Sequence, residues 1–329
     1  MAGTPADDPR RRRRGDRRAR DRGRRAHPAD RHLAVSAHGT PAGRPSPARI
    51  AAAATLACTL EACADKVGNV TPTRSFPDSR FDDFALSALA LGAAVGGAAP
   101  GRVGRTVYEA VAATRRVAPS NTNLGMALLF TPLAAAARAR RGAGLRRRLA
   151  GVLRGLSVDD ARWAYRAIRL ARPGGLGQPD DAPVARRPSI TLGEAMRLAA
   201  SRDTVAAEYV HGFAVTFDLA LARLRRTLSR GLSLLDAIAQ SHLELMALVP
   251  DTLIARKAGT PAAAAVAARA REVVRAGGVG TRKGLAAARR LDRDLRRRGN
   301  RLNPGTSADL IAAALFVWLL ESPGRGRPE

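Results

Sequence analysis

Lysine, cysteine and aromatic side chains are scarce in this chain of 329 residues. Aromatic residues make up 4% and are not interleaved with basic ones, so a surface that stacks on bases is not expected, and nucleic acid is not the expected partner. The two cysteines, Cys58 and Cys63, lie five apart in one predicted helix and do not face each other. This spacing excludes a disulfide framework or a cysteine metal site, and we expect a cytoplasmic protein.

Long apolar segments are missing as well. The longest, 310–320, is too short to span a bilayer and is expected to form a buried core helix. No apolar run of signal-peptide length follows the Arg-rich start of the chain, so no signal peptide is expected. The sequence therefore predicts no membrane partner.

Three of the 56 basic residues are lysine, at positions 66, 257 and 283, and the formal net charge is +28. Arginine and alanine are abundant throughout, so the positive charge reflects a compositional bias as much as an affinity for polyanions. Lys66 stands in a break with Gly68 and Asn69 between Ala-rich helices. An ammonium beside exposed backbone N–H groups suits a phosphate, and the alternative is a solvated lysine in a loop that ends a helix.

The sequence predicts an all-α fold with one compact domain, residues 49–325, of about eleven helices. Residues 1–48 are low in complexity and are expected to form a disordered Arg-rich tail, solvated or in contact with a polyanion. Six Ser or Thr residues are followed three positions later by an acid, the pattern of a capping box, and strand-like alternation is missing. The predicted helices are 49–64, 80–95, 105–116, 124–141, 145–154, 158–170, 191–226 as one or a broken helix, 232–248, 261–276, 283–298 and 307–321.

Three carboxylates, Asp78, Asp82 and Asp83, cluster within six residues around the start of a predicted helix. Carboxylates this close can share a Mg²⁺ ion or hold one proton at a raised pKa. In the alternative interpretation Asp82 only caps the helix and the other two are solvated.

Small polar residues open a predicted apolar helix at Asn121, Thr122, Asn123 and Gly125. Neutral donors at the start of a helix suit phosphate or ribose hydroxyls, and capping alone would explain one of these residues. We predict that this segment binds substrate.

A second polar segment, Gly305, Thr306, Ser307 and Asp309, leads into the apolar run 310–320. Asp309 therefore lies at the base of a core helix, where it is either the capping-box acid of Thr306 or a metal ligand or general base.

Two further positions in the sequence offer cationic side chains. Arg256 and Lys257 end one predicted helix, and Lys283 follows a glycine-rich run that either cradles an anion or caps a helix.

Together these segments resemble the triphosphoribosyl-dephospho-CoA synthase family, which serves citrate lyase and malonate decarboxylase maturation. The resemblance runs in order over about 50–321. It rests on Glu61-Ala62, Lys66–Val70, Asp78, Phe84, Ser87, Asn121–Gly125, Tyr165–Arg169, Pro173–Gly177, Met196–Asp203, Asp251–Gly259 and Pro304–Asp309. Two features differ: the usual Pro-Lys-Pro-Gly-Leu-Val reads Asp65–Val70 here, and Asn123-Leu124-Gly125 replaces the usual His-Lys-Gly continuation.

The resemblance implies an all-α enzyme that transfers a triphosphoribosyl group from ATP to the ribose 2′-hydroxyl of 3′-dephospho-CoA and releases adenine. It implies a positive pocket from Lys66, Arg256, Lys257 and Lys283, with Mg²⁺ on the triphosphate. An aspartate, Asp78 or Asp309, would accept the hydroxyl proton.

Two alternatives remain open at this point. The departures from the family pattern are compatible with a paralogue that ribosylates a different cofactor intermediate. A non-catalytic helical ATP-binding module would also use the same polar segments. The expected partners are the small molecules ATP and a dephospho-CoA-like acceptor, and both a monomer and a homodimer are compatible with the sequence.

Overall fold

A computed structural model describes residues 44–139, 143–174 and 187–322 of the chain. Fourteen α-helices and no β-strand occur in these ranges. The helices are α1 (Pro47–Cys63), α2 (Phe81–Gly96), α3 (Val103–Arg115), α4 (Leu124–Arg138), α5 (Leu145–Arg154), α6 (Val158–Ala171), α7 (Leu192–Ala199), α8 (Thr204–Val210), α9 (Ala222–Ser229), α10 (Leu234–Leu248), α11 (Thr252–Ala258), α12 (Thr260–Arg275), α13 (Arg282–Arg296) and α14 (Gly305–Glu321). A π-helix, Val215–Leu221, joins α8 to α9, and short 3₁₀ turns at Gly278–Gly280 and Gly299–Leu302 precede α13 and α14.

The all-α prediction is confirmed, with fourteen helices in place of about eleven. The predicted helix 191–226 is divided because Asp203 caps a new helix, α8, and because Gly212 and Phe213 adopt positive φ angles that end it. The segment after Asp251 forms a further short helix, α11, which has Arg256 and Lys257 in its last turn and was not among the predicted helix ranges. Of the predicted tail, residues 1–43 lie outside the described residues, and α1 already begins at Pro47.

Helices α4 and α14 form the centre of the hydrophobic core. Both are buried on nearly every face, as expected for helices that are apolar all round. Phe130 of α4 stacks on Phe316 of α14 with 4.6 Å between ring centroids. A smaller apolar cluster joins α10, α11, α12 and α13.

The prediction that the apolar run 310–320 forms a buried core helix is confirmed by α14. In the described ranges no single helix is both long and apolar enough to cross a membrane. One pair of helical segments, Thr204–Val210 with Val215–Ser229, is together long and apolar enough by length and composition alone, but the two segments are bent by 115° relative to each other.

Capping residues fix where several helices meet. Of the six capping boxes predicted from the sequence, those at Ser157 with Asp160 and at Thr191 with Glu194 are confirmed. Asp160 also reaches across to α3, where its carboxylate accepts a hydrogen bond from the Gly104 amide at 2.8 Å. A Cβ at Gly104 would lie 2.0 Å from the Asp160 carbonyl oxygen, so only glycine allows α3 and α6 to approach this closely.

We expect Gly104→Ala to destabilise the protein by about 1–3 kcal/mol, because the added methyl forces α3 away from α6. Gly151→Ala is the matched control, since Gly151 is an exposed position inside α5 with open space around it. That change should stabilise the protein by about 0.5–1 kcal/mol through helix propensity. Urea denaturation measures both, and a Gly104→Ala protein as stable as wild type would contradict the close approach.

Candidate active site

A cavity of about 1150 Å³ opens between segments that are far apart in the sequence. It is lined by the end of α1, the loop from Asn69 to Ser79, the start of α4, parts of α6, α7 and α8, α11, and residues 300–309. Residues from five of the predicted segments therefore meet at one place. The predicted site residues that line it are Asn69, Asp78, Asn121, Thr122, Asn123, Gly125, Arg256, Lys257, Gly305, Thr306 and Asp309.

The amino ends of α11 and α14 are joined by buried hydrogen bonds. Asp251 caps α11 through the amides of Leu253 and Ile254 at 2.9 and 3.1 Å. Its other carboxylate oxygen accepts from the amide and hydroxyl of Ser307 at 2.7 and 2.9 Å. The predicted binding residue Ser307 is thus engaged with Asp251, and it supports the cavity wall without belonging to the residues that line it.

Thr306 does not form the capping box with Asp309. Its hydroxyl oxygen accepts hydrogen bonds from the Leu253 amide and the Thr252 hydroxyl, each at 3.2 Å. The helix begins at Gly305, two residues earlier than that box requires. Asp309 is therefore released from capping.

Asp309 lies in the cavity wall, and its carboxylate makes no hydrogen bond to any described residue. A Cβ at Gly125 would lie 2.0 Å from Asp309 Oδ2, so α4 leaves just enough room for this carboxylate. Burial raises the pKa of Asp309 well above its ordinary value, and the nearby carboxylates of Glu61, Asp251 and Asp203 raise it further. A carboxyl group with a raised pKa and no partner can exchange a proton with a ligand.

Asp203 and Arg256 form an ion pair in the cavity wall. One carboxylate oxygen of Asp203 caps α8, accepting from the amides of Val205 and Ala206 at 2.8 and 3.2 Å. The other pairs with the Arg256 guanidinium. Arg256 is thereby held in the wall with part of its surface open to the cavity.

The start of α4 is anchored to α2 by the predicted Asn-Thr-Asn segment. The Thr122 hydroxyl donates to Ser87 Oγ at 2.6 Å, and the Asn123 amide donates to the Ser87 carbonyl at 3.3 Å. Asn121 Oδ1 accepts from the Leu124 amide at 3.1 Å. The side-chain donors of Thr122 and Asn123 are thus committed to α2, while the Asn121 NH₂ group makes no hydrogen bond within the described ranges.

Asp78 is linked to Lys257 through Asn300. The Asn300 side chain donates to an Asp78 carboxylate oxygen. Lys257 Nζ donates to the backbone and side-chain oxygens of Asn300 at 3.2 and 3.3 Å. Burial lowers the pKa of Lys257, and the charge of Asp78 opposes that change.

Lys66 lies behind the cavity wall and is not one of the lining residues. Its residue exposure is 1%, and its ammonium pairs with the Glu61 carboxylate at 3.0 Å. Glu61 itself lines the cavity. The structure therefore places a carboxylate, held by Lys66, where the sequence predicted the lysine.

Other predicted residues lie away from the cavity. Gly68 has φ +75°, and its amide donates to Asp292 at 2.7 Å. Lys283 is an exposed residue in the first turn of α13.

The three carboxylates predicted to hold Mg²⁺ do not converge. Asp82 pairs with the Arg80 guanidinium at 3.1 Å, while Asp83 accepts from the Arg80 amide at 2.9 Å and so caps α2. Asp78 turns to Asn300. Among the residues that the structure describes, no group of three His, Cys, Asp or Glu side chains is arranged to hold a metal ion.

Sequence reasoning did not select several residues that line the cavity, among them Glu61, Asp203 and Asn300. Two of them carried a signal. Glu61 is the only acid in α1, and Asp203 precedes an apolar helical stretch as an N-cap residue does. Asn300 lies in an Arg-rich, otherwise featureless stretch, and only the folded chain brings it to Asp78.

A family model described as ATP:dephospho-CoA triphosphoribosyl transferase (CitG) matches residues 47–328. A protein from Pseudomonas syringae pv. tomato, assigned as a 2-(5″-triphosphoribosyl)-3′-dephosphocoenzyme-A synthase, is 32% identical over 111 residues, which is 34% of this chain and 38% of that protein. The synthase of that name from Klebsiella pneumoniae is 35% identical over 106 residues, or 32% of this chain and 37% of the relative. The matched segments thus cover less than two fifths of either relative's length.

The fold is similar to a crystal structure from Archaeoglobus fulgidus, of a protein assigned as a triphosphoribosyl-dephospho-CoA synthase. The TM-score is 0.57 at 25% identity, covering 71% of this chain and 97% of the other. The family model covers nearly all of the described part of this chain, and the curated relatives and the solved structure carry the same family name. The chain belongs to the ATP:dephospho-CoA triphosphoribosyl transferase (CitG) family.

Proposed function

We propose that this protein transfers the 5-triphosphoribosyl group of ATP to the 2′-hydroxyl of 3′-dephospho-CoA and releases adenine. The bond between the ribose anomeric carbon and adenine N9 breaks, and its electron pair leaves with adenine. A bond forms between that carbon and the acceptor oxygen, and the hydroxyl proton passes to a carboxylate. Family membership supports this reaction, and the free carboxylate of Asp309 in the cavity wall is the observation that carries it.

The size and charge of the cavity suit two nucleotide substrates. A volume of about 1150 Å³ exceeds that of most sites for one drug-sized ligand. The described cationic residues that line it are Arg115, Arg172, Arg202, Arg256 and Lys257. Arg172 and Arg202 are exposed, so the positive rim can receive the phosphates while the ribose lies deeper.

Asp309 is proposed as the general base. Its raised pKa makes the ionised carboxylate a stronger base than an ordinary aspartate, and no hydrogen bond to a described residue competes for it. Asp78 is proposed as the second functional carboxylate, held by Asn300 to orient a substrate hydroxyl. The unpaired NH₂ group of Asn121 can donate to a ring nitrogen of adenine and so ease its departure.

Mg²⁺ is proposed to enter as part of the substrate, bound to the triphosphate of ATP. The described carboxylates do not form a three-ligand metal site of their own. Magnesium bound to nucleotides commonly keeps phosphate and water ligands, which fits this arrangement. The free thiols of Cys58 and Cys63 suit a reducing compartment, and we place the reaction in the cytoplasm.

The purified protein should form adenine, not ADP or AMP, when ATP, Mg²⁺ and 3′-dephospho-CoA are present together. Liquid chromatography with mass spectrometry should detect the triphosphoribosylated acceptor in equal amount. If ATP raises the melting temperature but no CoA-type acceptor yields adenine, the chain is a binding module and the proposed transfer is wrong. Adenine formation with a different acceptor would identify a paralogue.

Asp309→Asn should reduce turnover by about 10²–10⁴-fold, because an amide cannot accept the hydroxyl proton. In the wild type the base must be ionised, so kcat/KM should fall on the acid side at a higher pH than an ordinary aspartate would cause. Steady-state adenine release across pH measures both effects. An Asp309→Asn enzyme with near-wild-type turnover would exclude this role.

The same variant should melt at an equal or higher temperature than wild type at neutral pH. A carboxyl whose folded pKa is raised favours folding when protonated, and that contribution is lost as pH rises through the folded pKa. Asparagine removes this loss. Asp160→Asn is the contrasting control, because Asp160 accepts three hydrogen bonds outside the cavity; it should lower the melting temperature and leave the shape of the pH profile unchanged.

Gly125→Ala should lower turnover strongly while the fold persists. The added Cβ would lie 2.0 Å from Asp309 Oδ2, and the carboxylate can only move away from it. A displacement of this size typically costs about 10²-fold in rate. Adenine release measures the turnover, and circular dichroism measures whether the fold persists. Unchanged kinetics would show that Asp309 tolerates the methyl group.

A further inference from the structure

The ion pair between Glu61 and Lys66 is buried at the cavity wall. The two side chains are 4% and 0% exposed, and Lys66 Nζ lies 3.0 Å from Glu61 Oε1. Two charges are costly to bury, and a pair of this kind contributes little to stability compared with apolar side chains of the same size. Its position beside the cavity calls for another explanation.

Lys66 has no donor left for a phosphate. An ammonium group has three N–H donors. Those of Lys66 reach the Glu61 carboxylate, the Glu61 carbonyl and, at 3.4 Å, the Ala64 carbonyl. The lysine therefore acts on Glu61 and on the end of α1.

Glu61 is open to the cavity on its other side. It lines the cavity, and its second carboxylate oxygen makes no hydrogen bond to any described residue. Asp309 is close enough for the charge of Glu61 to raise its pKa. Two carboxylates in one wall, one paired with a lysine and one free, suit two different roles.

We propose that Glu61 is a further catalytic residue: its ionised carboxylate faces the ATP ribose and stabilises the positive charge that develops there as adenine leaves. Lys66 is the positioning residue that keeps this carboxylate charged and fixed. The inference rests on the proposed transfer reaction. Glu61 forms no bond to the sugar, and the proton of the acceptor hydroxyl goes to Asp309.

Four titratable groups surround Glu61 and its partner Lys66, and their protonation states decide how the pH profile is interpreted. They are Lys66, Cys58 on the same helix, Asp309 on α14 and, facing Lys66 from α10, His242. Burial and the charge of Lys66 lower the pKa of His242 to about 3, and burial raises the pKa of Cys58 well above its ordinary value, so both stay neutral near neutral pH. Burial also raises the pKa of Glu61, and Lys66 opposes that rise.

Glu61→Gln and Lys66→Met separate the two roles. Glu61→Gln should lower kcat by about 10²–10³-fold at every pH, with the KM for ATP little changed. In Lys66→Met, Glu61 loses its counter-ion, so the acid limb of the rate profile should move up by about 1–3 pH units, and turnover should recover at alkaline pH. Without a carboxylate, the Glu61→Gln enzyme should not recover there.

The double variant Glu61→Gln/Lys66→Met should be no slower than Glu61→Gln alone, because Lys66 then has no carboxylate to hold. It also removes both buried charges, which keeps the test available if Lys66→Met folds poorly. If Lys66 contacted phosphate, its replacement would raise the KM for ATP without moving the pH profile, and the two changes would add. That result, or near-normal turnover in Glu61→Gln, would overturn the inference.

Glu244→Gln is the matched control, since Glu244 is also buried and ion-paired, with Arg226, but does not line the cavity. Its kinetics and pH profile should match those of wild type. If wild type itself releases no adenine, the transfer reaction is wrong and the catalytic role of Glu61 falls with it. An active wild type with an equally active Glu61→Gln variant rejects this inference alone.

Discussion

The cavity depends on the buried carboxylate of Asp251. Four hydrogen bonds tie it to the amino ends of α11 and α14. Burial raises the pKa of Asp251, and these hydrogen bonds oppose that rise. With Ser307 held by Asp251 and Thr306 held by α11, the first turn of α14 needs no acid from its own sequence. Asp309 is left without a structural task and lies open to the cavity. One structural aspartate thus makes another available for chemistry.

The cavity has negatively charged side chains in its interior and positively charged side chains at its rim. Glu61 and Asp309 lie in the interior, and exposed arginines such as Arg172 and Arg202 lie at the rim. A transfer between two polyanions needs positive charge where the phosphates enter and negative charge where the sugar becomes cationic. A cavity lined only by positive charges would bind the phosphates but would not stabilise the cationic sugar, and one lined only by negative charges would do the reverse.

The helical class and the buried α14 could be predicted from the sequence, because they depend on local composition and on breaks between helices. The meeting of the polar segments was implied by the family resemblance alone. The division of 191–226 was harder to predict: Phe213 adopts a positive φ angle that its residue type does not favour, and only tertiary packing imposes it. The capping pattern was misleading at Thr306, where the hydroxyl found partners on another helix. The three acids after Pro77 were adjacent in sequence, but two of them were taken by Arg80. Proximity along the chain indicated a metal site that the fold does not form.

The rarity of lysine drew attention to Lys66, which lies next to the cavity but is engaged by Glu61 and two carbonyl groups. In a chain that uses arginine for nearly every positive charge, a lysine was expected to mark a phosphate contact. The structure gives a different physical reason at Lys66. A compact ammonium can be enclosed by one carboxylate and two carbonyl groups, whereas a planar guanidinium with five donors cannot be satisfied in the same space. Lys257 likewise directs its ammonium at two oxygens of a single residue, Asn300. Around the cavity, arginine provides the open rim, and Lys66 and Lys257 each use a compact ammonium to hold a neighbouring side chain.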